Sequence, residues 1–76
     1  MSTTEKAALK RWREYLESRT STYSPGMDAK VLRDVARAVT EPSDEYLRCV
    51  LDAYTDKYPF ASGAVLRSLI KAAGRR

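Results

Sequence analysis

A cysteine attacks a substrate or binds a metal as its thiolate, and Cys49, the chain's one cysteine, has no histidine anywhere to take its proton. Asp52 stands three residues on and would hold the thiol protonated rather than ionise it. The lack of histidine also removes the commonest metal ligand and the usual general base. The glycines, only 3 in number, form no phosphate-cradling loop between a strand and a helix. These residues predict a non-enzymatic protein with no catalytic set, no metal site and no cofactor.

The cations are the remaining candidates for chemistry. Net charge is +4 and unevenly spread: residues 1–20 carry +2, residues 21–60 carry −2, and residues 61–76 carry +4 with no acid at all. Projected at 100° per residue, Lys30, Arg33 and Arg37 share one outward stripe, diluted by Asp34, while Arg67, Lys71 and Arg75 share another, with Arg76 beyond. Glu45, Asp52 and Asp56 lie outward between those two stripes in sequence. Regularly spaced cations can track a phosphate backbone, releasing counterions as they bind. They can equally be steered onto an acidic protein surface.

Four elements must position these charges, and all four read as helices. Apolar residues recur at three- and four-residue spacing over about 4–19, 28–40, 43–57 and 62–74, with no strand-like alternation. Ser2 with Glu5 is a capping box for the first helix. Pro25-Gly26 is expected to turn the chain, with Asp28 as the N-cap of the second helix. Pro42 ends that helix by pushing Glu41 out of helical backbone, and Ser43 caps the third, with Asp44 and Glu45 in its positive first turn. Gly74 is placed to close the fourth. The one-sided stripes predict an all-α, compact bundle of four short amphipathic helices in a single domain spanning 1–76. Trp12, Tyr15, Tyr46 and Tyr54 fall on core faces. Tyr58 and Phe60, like Tyr23, lie in connections and are expected to be free for a partner.

Three stretches resemble one another: Val31-Leu-Arg33, Tyr46-Leu-Arg48 and Val65-Leu-Arg67 open segments of similar pattern. Their offsets, 15 and then 19 residues, are unequal, so the likeness reads as similar amphipathic helices rather than a repeat. The pair around residues 32–55 has helix-turn-helix proportions, but its second helix would carry Asp44 and Glu45 into a groove rich in acceptors, which argues against base reading there.

No apolar run approaches the ~20 residues of a membrane span, and the polar first ten residues lack a signal peptide's apolar stretch. A lone cysteine is unusual in so small a secreted domain, so a cytoplasmic location is expected. The leading functional expectation is nucleic-acid binding, as a regulator or accessory subunit, through Lys30, Arg33, Arg37, Arg67, Lys71, Arg75 and Arg76. The alternative is a protein–protein interaction module, an adaptor, docking domain or inhibitor, recognising an acidic partner surface. Pairing of acidic and basic faces between copies would make a homo-oligomer.

Overall fold

The computed structural model describes residues 1–19 and 22–74, which form four helices and no strand: α1 (Thr3–Ser18), α2 (Pro25–Val35), α3 (Asp44–Lys57) and α4 (Gly63–Ala72). The Cα radius of gyration, 11.2 Å, is close to the ~11.4 Å of a compact chain of this length. The four helices share one core. Among the described residues no helix is long and apolar enough to cross a membrane.

The caps explain most boundaries. Ser2 Oγ accepts from the Glu5 amide, and the Glu5 carboxylate accepts in return from the Ser2 amide at 2.9 Å, completing the capping box. Ser43 and Ser62 cap α3 and α4 through the amides of Tyr46 and Val65. Gly74 adopts φ +124°, and a methyl group there would come 2.9 Å from the Val39 carbonyl oxygen, so only glycine fits.

The second helix departs from expectation at both ends. It starts at Pro25, with Ser24 as N-cap, rather than after Asp28. Proline suits the first helical position because its missing N–H is unneeded there and its φ is already helical. It ends at Val35, and Ala36–Ala38 form a turn tied by the Val39 amide to the Ala36 carbonyl at 2.9 Å. Arg37 therefore lies in that turn and not on the helix.

Which ends meet defines the packing. The starts of α1 and α3 lie together: Glu5 Oε2 accepts from the Ser43 amide at 2.7 Å, and the amino terminus is 3.4 Å from Glu45. Midway, Trp12 Nε1 donates to the Val50 carbonyl at 3.2 Å. The starts of α2 and α4 also meet, where the Tyr23 and Phe60 rings are 4.9 Å apart, and their ends meet where Gly74 abuts Val39 and Pro42. So α1 and α3 run side by side in one direction, and α2 and α4 in the other. The α1–α2 and α3–α4 hairpins are stacked, whereas α2 and α3 lie diagonally with no close backbone approach among the described residues. That separation removes the helix-turn-helix arrangement, which needs the backbones of those two helices closely packed. In this stack the Val31-Leu-Arg33 and Val65-Leu-Arg67 echoes, 34 residues apart, occupy equivalent helices; the echo in α3 does not.

The centre is aromatic and ionic at once. Trp12, Tyr46, Tyr54, Leu32 and Leu69 are fully buried. Trp12 stacks on Tyr15 and Tyr54 with centroids at 5.7 and 6.0 Å. Among these rings sits Asp28, also fully buried. Its Oδ1 accepts from Tyr15 Oη at 2.6 Å and from Arg19 Nη1, and its Oδ2 accepts from Tyr54 Oη at 2.7 Å. Arg19 Nη2 donates to the Thr22 carbonyl at 2.6 Å, holding the chain between α1 and α2. Burial, then the bond to Asp28, pushes the Tyr15 and Tyr54 hydroxyls above the ordinary tyrosine range, so both stay protonated as donors.

Two of the core tyrosines, Tyr54 and Tyr46, should respond differently to loss of the hydroxyl. Tyr54→Phe strips a donor from a buried carboxylate and should cost about 1.5–3 kcal/mol in urea unfolding. Tyr46 Oη is buried with no partner, its pKa pushed up to about 12 by burial and then by Glu5, so Tyr46→Phe should be neutral or stabilise by up to about 1 kcal/mol.

Bonds from the Ser43 and Ser2 amides hold the Glu5 carboxyl below the ordinary glutamate range. A depressed native value adds stability that is present above the unfolded value of ~4.3 and disappears as pH falls through the native one. Unfolding midpoints measured across that acid range should fall more steeply for the native chain than for Glu5→Gln.

Candidate nucleic-acid interface

α2 packs beside α4, although the two are separated in sequence by the acidic α3. The groove between them is lined by Gly26, Met27, Ala29, Lys30 and Arg33 from α2 and by Ser68 from α4, with no carboxylate. Arg67 and Lys71 are exposed on α4, one residue before and three after Ser68; helical spacing puts Lys71 next to Ser68 on the helix surface and Arg67 farther round. No acid occurs in α4.

Of the residues expected to form this surface, Lys30, Arg33, Arg67 and Lys71 are all exposed, and Lys30 and Arg33 line the groove. Arg37 is exposed at the end of the face, but its guanidinium is 3.3 Å from Asp34, three residues earlier. That exposed pair is worth little energetically. Arg75 and Arg76 lie outside the described residues.

The grooves along α1 and α3 are different in kind. One is lined by Arg13, Glu17, Asp52, Asp56 and Lys57 around Leu16 and Ala53, mixing both signs. The other passes Lys6, Lys10, Arg13, Glu14 and Glu17 and contains the half-buried Cys49. Alternating charges offer a polyanion no continuous attraction. Among the described residues no three His, Cys, Asp or Glu side chains gather as a metal site.

The two connection aromatics part company. Tyr58 is 7% exposed, packed on Tyr23 and Tyr54 with ring centroids at 4.9 and 5.0 Å. It is a core residue, not a free contact: as the C-cap of α3, with its amide bonded to the Tyr54 carbonyl, it folds inward between α3 and α4. Phe60 is 67% exposed on the other side of the proline. Met27, 56% exposed in the groove, was not singled out by sequence because the expected second helix begins only at Asp28, which leaves Met27 outside it. Ser68 was missed for the same reason that α2–α4 adjacency was: nothing local in the chain pairs those helices.

No protein-family model matches the chain, and neither a curated protein nor a solved structure does.

The cations of this face are anchored to nothing the fold needs. Replacing Lys30 and Arg33 together by Glu should leave the thermal midpoint within the ~0.5 kcal/mol scatter of ordinary surface changes, read by circular dichroism. A large loss of stability would mean that these side chains support the core.

Proposed function

We propose that this protein binds nucleic acid without catalysing a reaction on it, as a regulator or accessory subunit, through the face built by α2 and α4. The observation that carries the reading is the groove lined without a carboxylate, where Lys30 and Arg33 of α2 meet Ser68 of α4, a helix whose exposed charges are Arg67 and Lys71. Cations drawn from two helices attract a phosphate backbone whatever its sequence, and the released counterions supply the affinity. Phosphate contacts of this kind position a strand and carry no base information themselves.

A second reading, docking of an acidic protein segment, is supported by Met27. An exposed, adaptable thioether with cations around it suits an amphipathic partner with acidic flanks. The leading reading requires no such apolar contact, and the two differ in how steeply they depend on salt.

With about four phosphates neutralised, log Kobs against log salt should slope at roughly −3 to −4. Fluorescence anisotropy with labelled oligonucleotides at two salt concentrations measures this. Converting Arg67 and Lys71 to Glu should weaken binding and reduce the slope by about one per contact removed. Absence of binding at low salt would overturn the proposal.

A further inference from the structure

We infer that the preferred ligand is single-stranded, with an unpaired base stacked on Phe60; this rests on the phosphate-binding reading and extends it from charge to form. Phe60 is the most exposed large hydrophobic residue described, at 67%. Its burial would have stabilised the fold by about 1.5–3 kcal/mol, so its position in solvent contributes little to folding.

The ring is nevertheless held. Tyr58 through Ala61 form a turn closed by the Ala61 amide on the Tyr58 carbonyl at 3.0 Å, with Pro59 fixing the backbone before Phe60. Tyr23 meets the ring at an interplanar angle of 77° and Tyr58 at 68°. Edge contacts of this sort fix orientation while two-thirds of the residue stays open. A platform already ordered loses little entropy when a base lands on it.

Its place in the fold links it to the cations. Phe60 precedes α4 by three residues and touches Tyr23, which precedes α2 by two, so it stands at the end of the bundle where both helices begin. Gly26, the first groove residue along α2, follows Tyr23 by three residues, and Lys30 lies about one helical turn farther along, a rise of ~6 Å. A strand whose phosphates follow α2 toward its start runs toward the end of the bundle that carries the Phe60 ring. Duplex bases present only edges to such a ring, whereas every unpaired base has a face to stack, whatever its identity.

The test compares an oligothymidylate, an abasic strand of equal length, a duplex and a polyglutamate, each titrated at low salt against the native chain, Phe60→Ala and Phe60→Tyr. The native chain should prefer the oligothymidylate to the other three. Phe60→Ala should weaken oligothymidylate binding by about 5- to 150-fold, the range corresponding to one base–aromatic stack. It should leave abasic-strand and duplex binding unchanged, and Phe60→Tyr should restore the loss. An unchanged circular dichroism spectrum shows that the variant folds, as an exposed side chain allows. If oligonucleotides bind but Phe60→Ala alters nothing, or if duplex binds as tightly as the single strand, this inference is overturned while phosphate binding stands; if polyglutamate binds as tightly, this inference is overturned and the acidic-partner reading replaces phosphate binding. If no oligonucleotide binds at all, both fall.

Discussion

The carboxylate of Asp28 is the point through which the rest of this molecule is tied. It is fully buried on α2 yet bonded to Tyr15 of α1, to Tyr54 of α3 and to Arg19 just past α1. A charge without water is tolerable only when its lone pairs are filled and a counter-charge is close, and both conditions are met within 3 Å. The geometry that satisfies Asp28 leaves little freedom elsewhere. Three helices must arrive at fixed azimuth and height, and the chain after Arg19 must bend so that the Thr22 carbonyl meets its guanidinium. Such a cluster adds less net stability than an apolar core of equal volume, but it penalises any alternative packing that would strand the carboxylate.

Glu5 does the same work at the opposite end of the α1–α3 pair. It closes its own helix's capping box and reaches across to the first residue before α3. With Trp12 bonded to the Val50 carbonyl between these two acids, α1 and α3 are held at three heights. Among the described residues the α2–α4 pair has no comparable polar ties; its ends are closed by rings at one side and by a glycine against a carbonyl at the other. Polar groups are spent on the α1–α3 side, and the α2–α4 side is left with its cations facing outward.

Much of this could be read from sequence because it is local. Ser2, Ser43 and Gly74 are side chains or backbone conformations that act within one turn of their own position, and each occurs where expected. The boundary errors at α2 are of the same local kind, since Pro25 suits a helix's first position as well as a turn. Asp28 was misplaced for a different reason: an acid near a helix start resembles a cap until partners from other helices are known. Tyr58 and Phe60, two residues apart, have opposite fates decided by packing against Tyr23 and Tyr54. The cationic face was half visible, because charge stripes are local but their adjacency depends on how the hairpins stack.

That stacking also bears on how the chain reaches its native state. The contacts joining Glu5 to Ser43 and Trp12 to Val50 span 38 residues, half of the 76 in the chain. Each hairpin can form through neighbours, but neither buries its apolar face until the other is present. Loop closure over such spans costs entropy before any contact repays it. The protein should therefore fold more slowly than an up-and-down bundle of equal length, whose helices pack on their neighbours in sequence. Its hairpins, each incomplete alone, would also tend to seek the matching half of another chain when concentrated during refolding.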